Sequence, residues 1–381
     1  MKITKYFALL CAATVGFVAC TPTEKEQVAP NVSGNITLTA DKTEVALDDE
    51  EECLVHFTAE MKNAETGAIE DVTAFVTLYD SNLDEVSNPF RPEASGIYNI
   101  MASYGAESSN TVTITVMGSL PELPEDPDAN NFAFNHRAVL IDHTGVNCGY
   151  CPMMTDSLLL LEDTEWHKHY NEVTCHAGSM AGGDPANSAA ANALNDLQDP
   201  NGYPNVKINF NTAEVGNYGG QTTVNYIIKA LDGYIKKDGA DAGIALAVTG
   251  DTTSIYCSAQ VKANVAQEYK AIAWLLESNI YSPNQAGATK AEHKIYNYAI
   301  RNISNPKVDK NTVTGESIGV LEHGETKNLA YALPITSTKW NWENMGVLVI
   351  VSAKDANNHW EVVNSLYCSL VDKSKTYEYL N

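Results

Sequence analysis

Between residues 35 and 118, apolar side chains occur in short runs, several of which alternate with polar side chains. The runs occupy residues 36–39, 53–58, 72–78, 97–101 and 111–116, and turn-forming residues separate them. Alternation with a period of two places successive side chains on opposite faces of a strand. The pattern therefore predicts an all-β sandwich over residues 35–118. Residues 119–130 follow as a linker, because proline and acidic side chains make this stretch stiff, extended and polar.

The periodicity changes in residues 131–238, where apolar runs alternate with helical stripes. An apolar run at 138–141 precedes a segment in which Met154, Leu158 and Leu161 share one helical face. The pattern further predicts strands at 171–177 and 206–210, a helix at 186–198, and a last helix with an apolar stripe between residues 224 and 235. Strands that alternate with helices in this way indicate an α/β layer with a partly parallel sheet.

From residue 239 to 381 the pattern returns to strands. The strand-like runs occupy residues 244–248, 254–261, 271–276, 296–300, 347–352 and 360–368, and they predict a second β-sandwich. Trp340 and Trp342 in this region have two interpretations. They could form an exposed platform on which a sugar stacks, but a packed pair is the more common arrangement and is favoured.

The first nineteen residues have the pattern of a secretory signal. Lys2 and Lys5 precede an apolar stretch at 6–18, which is too short for a convincing transmembrane helix. The stretch Phe-Val-Ala-Cys at 17–20 resembles a bacterial lipobox, which implies cleavage before Cys20 and lipidation of that residue. Phe17 replaces the usual leucine, so an ordinary secretory signal is the alternative. Residues 20–34 then form a polar tether.

The charge of the chain limits its partners. The 381 residues carry a formal net charge of −24. Such an excess of carboxylates repels phosphate backbones, so no nucleic-acid partner is expected. The acidic run at 48–52 indicates either a calcium site or a solvated loop, and the loop is favoured because such runs are usually solvated. The sequence contains no phosphate-binding loop, and no cofactor is expected.

Two cysteines have a spacing that indicates chemistry. Cys148 and Cys151 form a Cys-x-x-Cys pair at a predicted strand-to-helix junction, with Cys148 expected at the helix start and Cys151 about one turn inside the helix. Unpaired N–H groups and the helix dipole at that helix start would stabilise a thiolate. The alternative is half of a zinc site, which needs a second pair of ligands. The candidate pair, Cys175 and His176, consists of adjacent residues that rarely face one metal. The redox interpretation is therefore favoured, and no metal is expected.

The other cysteines have weaker signals. Export would permit disulfides. Cys53 and Cys175 lie in apolar runs and are expected to be buried thiols. Cys257 and Cys368 lie in strand-like stretches of the same predicted domain, and a bond between them is a weaker hypothesis.

The stretch at 142–152, Asp-His-Thr-Gly-Val-Asn-Cys-Gly-Tyr-Cys-Pro, carries a family resemblance. Together with Pro204, which opens a later strand, it resembles the thioredoxin fold over about residues 131–237. More narrowly, the stretch resembles the exported lipoproteins called outer-membrane-protein-twenty-eight-related. Asn147 and Tyr150 depart from the tryptophan and from the proline or histidine that thioredoxins usually carry there. The ending at 96–116 similarly resembles the last hairpin of bacterial immunoglobulin-like domains.

The thioredoxin resemblance assigns roles to four residues. It implies that Cys148 is the nucleophile and Cys151 the resolving thiol. Asp142 corresponds to a buried carboxylate that moves the proton, and Pro204, in a cis bond after Tyr203, would shape the groove for the partner.

The expected protein is multidomain α+β, with a thioredoxin-like α/β domain at 131–238 between an immunoglobulin-like sandwich at 35–118 and a β-sandwich at 239–381. The narrower resemblance implies a lipid anchor in the outer membrane of a Gram-negative bacterium, facing the periplasm or the cell surface. The leading function is thiol–disulfide exchange with exported protein thiols or disulfides. The alternative is a non-enzymatic surface lipoprotein whose sandwiches bind glycan or protein.

Overall fold

The fold comes from a computed structural model that describes residues 30–47, 53–93, 95–118, 120–211, 213–305, 307–310 and 312–380. The signal segment, Cys20 and the acidic run at 48–52 lie outside these ranges. The described residues combine several β-sheets with a few helices, which confirms a multidomain α+β protein.

The N-terminal region consists of short strands, as the alternating pattern predicted. They are β1 (Val32–Ala40), β2 (Glu44–Ala46), β3 (Phe57–Asn63), β4 (Ile69–Asp71), β5 (Thr77–Tyr79), β6 (Glu85–Val86), β7 (Gly96–Tyr104), β8 (Glu107–Ser108) and β9 (Val112–Met117). One sheet has the order β1-β3-β4, and a second has the order β2-β9-β7-β5-β6 with β8 beside β7. An apolar core that includes the fully buried Leu38, Ile100 and Ile114 lies between them.

The prediction of a strand at 72–78 is wrong for the first half of that range. Residues Thr73–Phe75 form a 3₁₀ turn, and only Thr77–Tyr79 is strand. The carboxylate of Asp71 accepts a bond from the backbone N–H of Thr73 at 2.8 Å, and the Thr73 hydroxyl accepts one from Ala59 N–H at 2.9 Å. These local bonds replace the ladder bonds that the β-branched composition favoured.

The central region alternates strands and helices: β10 (Ala138–Thr144), α1 (Cys151–Glu162), β11 (Tyr170–His176), α2 (Ala189–Gln198), β12 (Asn205–Ile208), β13 (Glu214–Gly216) and α3 (Gly220–Asp232). We refer to these elements as the central module. β10 runs parallel to β11 and antiparallel to β12, which pairs antiparallel with β13. The predicted partly parallel sheet is therefore confirmed.

The predicted helical stripe positions α1. Met154, Leu158 and Leu161 are buried against α3, where Val224, Ile227 and Leu231 form the facing stripe. Burial of this apolar face holds the start of α1 at the end of β10.

The C-terminal region is again rich in strands. They are β14 (Ala242–Gly250), β15 (Ser254–Ala263), β16 (Gln267–Glu277), β17 (Ile280–Tyr281), β18 (Ile295–Tyr296), β19 (Ala299–Ile303), β20 (Glu316–Leu321), β21 (Thr326–Pro334), β22 (Met345–Lys354), β23 (Trp360–Ser369) and β24 (Ser374–Lys375). A sheet of order β21-β15-β14-β24 packs on a larger sheet across a core that contains Val261, Leu275 and Val349.

The larger sheet runs through both the central module and the C-terminal region, in the order β13-β12-β10-β11-β19-β16-β22-β23, with β20 beside β16. The join is at Thr174 of β11, which pairs with Ala299 of β19 and donates its backbone N–H to Tyr298 O at 2.9 Å. The β19 strand thereby covers what would otherwise be an open edge of the module. One sheet thus crosses residue 238, where the sequence pattern divides the two segments.

The hypothesis of a bond between Cys257 and Cys368 is wrong. Both thiols are free and buried in the core between the two C-terminal sheets, where Cys257 belongs to β15 and Cys368 to β23. Cys53 and Cys175 are buried, as expected. Trp340 and Trp342 are half-buried against the same core, so the packed arrangement is confirmed.

Candidate functional site

The Cys148–Cys151 pair lies in the turn that joins β10 to α1 and forms a disulfide. Cys151 is the first residue of α1, and Cys148 lies in the preceding turn, where its carbonyl accepts the N–H of Cys151. The expectation that Cys148 starts the helix and Cys151 lies one turn inside is therefore wrong by one turn. The positive end of the α1 dipole lies at the disulfide, because α1 begins at Cys151. No side chain caps this end of the helix.

Both cysteines are buried, which the sequence did not indicate. Cys148 is 3% exposed and Cys151 is 2% exposed, whereas Tyr150 between them is 71% exposed. The sulfur atoms are bonded to each other, so neither is a thiolate ligand here. Among the described residues, no group of three or more histidine, cysteine or acidic side chains could hold a metal.

Asp142 lies on β10 and is buried, as the resemblance implied. Its Oδ1 atom has no hydrogen-bond partner within the described protein. Burial raises the pKa of Asp142 from 3.8 to about 7. The carboxyl group lines a cavity of about 90 Å³ together with Cys151 and Pro152. A carboxyl group with this pKa can both accept and donate a proton at neutral pH.

A second carboxyl group shares this cavity and was missed in the sequence. Glu172 on β11 pairs with Leu140 on the parallel strand β10. Leu140 and Asp142 are two positions apart and lie on the same face of β10, so Glu172 lies on the same face of the sheet as Asp142. Burial, together with repulsion from Asp142 and then Glu162, raises the pKa of Glu172 to about 8. The sequence signal for this residue is weak, because the strand at 170–176 mixes apolar and polar side chains and Glu172 is merely its one acidic residue.

The Tyr203–Pro204 bond is cis, which confirms the isomer that the resemblance implied. Pro204 is buried immediately before β12, whose Asn205 pairs with His143 on β10. The Tyr203 hydroxyl donates to Asn195 Oδ1 at 2.7 Å. Pro204 therefore precedes the strand that pairs with Asp142, and it does not line the 90 Å³ cavity.

A buried hydrogen bond between an aspartate and a histidine supports the turn before the cysteines. Asp184 Oδ2 lies 2.9 Å from His176 Nδ1 and accepts the backbone N–H of Val146 at 2.7 Å. Burial alone would raise the pKa of Asp184, but its bonds to His176 and to backbone N–H groups lower it overall. Asp184 comes from the segment between β11 and α2.

A loop from the C-terminal region lies over the disulfide. We call residues 282–294, which join β17 to β18, the cover loop. Gln285 donates its side-chain N–H to Cys148 O at 3.1 Å, and Ala286 donates its backbone N–H to Val146 O at 2.8 Å. Gln285 and His293 also line the cavity that holds Asp142. No local sequence signal could have placed this loop, because it lies more than 130 residues from the cysteines.

Residues 191–367 match the family model described as outer membrane protein Omp28. This part of the chain is similar to the Omp28-related family. The matched range begins within α2 and ends in β23, so it includes Pro204 and the cover loop but not Cys148 or Cys151. This match confirms the narrower resemblance inferred from the sequence.

Two solved structures match parts of this chain. HBP35 of Porphyromonas gingivalis has a TM-score of 0.50 and 16% identity, covering 66% of this chain and 79% of HBP35, and this likeness concerns the fold alone. A domain of the outer membrane lipoprotein Omp28 from Porphyromonas gingivalis has 17% identity over 34% of this chain and 88% of the domain, with a TM-score of 0.21. A comparison with curated proteins gives no match.

The match to the model of a family of outer membrane proteins confirms the expected outer-membrane localisation. In the part of the chain that the structure describes, no helix has the length and apolar character needed to cross a membrane. Lipidation of Cys20 stays a prediction, since that residue lies outside the described ranges.

Proposed function

We propose that this protein carries a thioredoxin-like central module that exchanges disulfides with exported proteins through Cys148 and Cys151. The observation that carries the proposal is a disulfide at the start of α1 beside a buried, unpartnered carboxyl group. Asp142 and Cys151 line the same cavity. The strand order β13-β12-β10-β11, with a helix between the parallel strands, supports the thioredoxin-like assignment.

The exchange consists of two successive displacements at sulfur. The Cys148 thiolate attacks one sulfur of a partner disulfide, and the other partner sulfur leaves as a thiolate. Cys151 loses its proton to Asp142 and attacks Cys148, which releases the second partner thiolate. Asp142 then passes its proton to a released thiolate. The partner disulfide is thereby reduced and the Cys148–Cys151 dithiol is oxidised. One partner thiolate takes the proton from Asp142, and the other takes from solvent the proton that Cys148 released when it ionised. The reverse sequence oxidises a partner dithiol.

Each residue has a separate role in this sequence. The positive end of the α1 dipole favours the thiolate form of the attacking cysteine. Asp142 can accept the proton of Cys151 because its own pKa lies near 7. Pro204 is proposed to shape the surface on which the partner chain lies.

Trapping of mixed disulfides tests the proposal. With a protein disulfide such as insulin, Cys151→Ser should accumulate a mixed disulfide through Cys148, whereas the matched Cys148→Ser should accumulate none. Asp142→Asn should slow release of the mixed disulfide without slowing its formation. If the wild-type dithiol does not reduce insulin and Cys151→Ser traps no partner even after the disulfide has been reduced, the exchange function is wrong.

One observation favours a second candidate function, a non-enzymatic surface lipoprotein in which the disulfide is structural. Both cysteines are buried beneath the cover loop. In that case the reduction potential should lie far below those of catalytic disulfides, roughly under −300 mV. A glutathione redox titration of the Cys148–Cys151 pair, read by mass spectrometry, distinguishes the two functions.

A further inference from the structure

The two faces of the cover loop have different environments. Ser282, Gln285 and His293 point inward and are buried, whereas Asn284, Thr289 and Lys290 are exposed. Gln285 contacts the cysteine turn, and Gln285 and His293 line the cavity that contains Asp142. The loop is therefore a single layer of chain between solvent and the disulfide.

The base of the loop is closed by its own hydrogen bonds. Ile280 pairs with Tyr296 in the β17–β18 hairpin, and Ser282 N–H donates to Lys294 O at 2.8 Å. β19 begins only at Ala299. The loop can therefore tilt about this short hairpin without breaking the pairing of the large sheet.

Two side chains of the loop, the exposed Lys290 and the buried His293, hold it against α1. Lys290 Nζ lies 2.7 Å and His293 Nε2 lies 3.0 Å from Asp156 Oδ1. The lysine is half exposed, and an ion pair of this kind contributes at most about 1 kcal/mol. Inside, the Tyr296 hydroxyl donates to Gln285 Oε1 at 2.6 Å and so orients the amide that bonds Cys148 O.

Gly287 is the point of closest approach. Its φ is +70°, and a Cβ atom placed there would lie 2.1 Å from Gly149 O, inside the Cys-Gly-Tyr-Cys motif. Only glycine combines this backbone conformation with this contact. Glycine at position 287 thus allows the backbone of the loop to contact the Cys-Gly-Tyr-Cys motif directly.

We propose that the cover loop is an autoinhibitory segment, which occupies the place of a partner polypeptide and must swing away before a partner reaches Cys148. The inference rests on the proposed exchange function and adds its regulation. The backbone of the loop already bonds Val146, and its Gln285 side chain bonds Cys148. A partner that displaces it is an extended polypeptide that can replace these bonds, with a small residue beside Gly149.

The test measures how fast the disulfide of the full-length mature protein is reduced by a water-soluble phosphine. Native protein is quenched with an alkylating reagent, and mass spectrometry follows the peptides of Cys148 and Cys151 separately from the buried thiols. Gly287→Ala should push the loop from Gly149 and raise the reduction rate by at least about tenfold. Gly216→Ala is the matched control, because its φ is ordinary and no atom lies within 4 Å of the added Cβ; its rate should equal that of wild type.

A second variant provides the same test if Gly287→Ala does not fold. Gln285→Ala with Lys290→Ala removes the bond to Cys148 and one contact to Asp156, and it should also raise the rate. If both altered proteins are folded by circular dichroism and are reduced at the wild-type rate, the loop does not control access and the inference is overturned. If reduction accelerates but the resulting dithiol does not reduce insulin, the cover loop does control access to the disulfide, and the proposed exchange function is wrong.

Discussion

Replacing Asp142 by asparagine should stabilise the protein at alkaline pH, which is an unusual effect for removal of a candidate catalytic group. The carboxylate is 4% exposed, and its Oδ1 has no donor among the described residues. A buried charge without a partner opposes folding. Asparagine has nearly the same shape and carries no charge, so this penalty disappears.

The magnitude follows from the pKa of Asp142, which burial raises from 3.8 to about 7. Between these values the folded protein binds more protons than the unfolded chain, so the free energy of unfolding falls as the pH rises. The stabilising contribution is complete below about pH 4 and is lost as the pH passes through 7. Three pH units at about 1.4 kcal/mol each give a total of about 4 kcal/mol. About half of this loss falls above pH 5.5.

Urea unfolding at pH values from 5.5 to 8.5 measures this dependence, with the disulfide kept oxidised. The lower limit avoids association near the isoelectric point of about 4.6. The stability difference between Asp142→Asn and wild type should grow by about 2 kcal/mol in favour of asparagine across this range. Glu172, whose own pKa is raised to about 8, adds to the slope of both proteins, and its repulsion by Asp142 is removed in the variant.

Asp184→Asn is a control of opposite sign. The pKa of Asp184 is lowered overall, so its contribution to stability is present above the unfolded pKa and disappears only in acid. This variant should be less stable than wild type throughout the range. If the Asp142→Asn difference is flat with pH, or if the variant is less stable than wild type at pH 8.5, Asp142 is not an unpartnered buried carboxylate and the proton-transfer role fails with it.

Three further predictions concern other parts of the chain. Glu277→Gln should cost about 3–5 kcal/mol in urea unfolding at pH 7, because Glu277 Oε2 lies 2.7 Å from Arg301 Nε and the guanidinium would stay buried without a counter-charge; a loss below about 1 kcal/mol would contradict this. Leu161→Ala should cost about 2–5 kcal/mol by opening a cavity between α1 and α3, and an unchanged urea midpoint would show that the site collapses. Cys20→Ala should abolish incorporation of an alkyne fatty acid in cells, and equal labelling of variant and wild type would place the anchor elsewhere.

The sequence alone determined the elements whose signals are local. The stripe of Met154, Leu158 and Leu161 predicted α1, because apolar spacing near 3.6 has meaning only for a helix that buries one face. The spacing from Asp142 to Cys148, and the position of Pro204, identified the parts of the candidate site by resemblance. Strand existence in the N- and C-terminal regions followed from alternation and β-branched composition. These properties depend on neighbours within a few positions along the chain.

Only the tertiary structure decided what surrounds those parts. Alternation of apolar and polar residues predicts a strand but does not specify which strand it pairs with. Nothing in the sequence therefore predicted that β19 would extend the sheet of the central module beside Thr174. Burial of Cys148 depends on Gln285 and Gly287, which reach it through packing of a distant hairpin. The pKa of Asp142 is likewise a property of the cavity around it. Local periodicity specifies which face of an element is apolar, whereas desolvation and access to a reactive group depend on which distant segment covers that face.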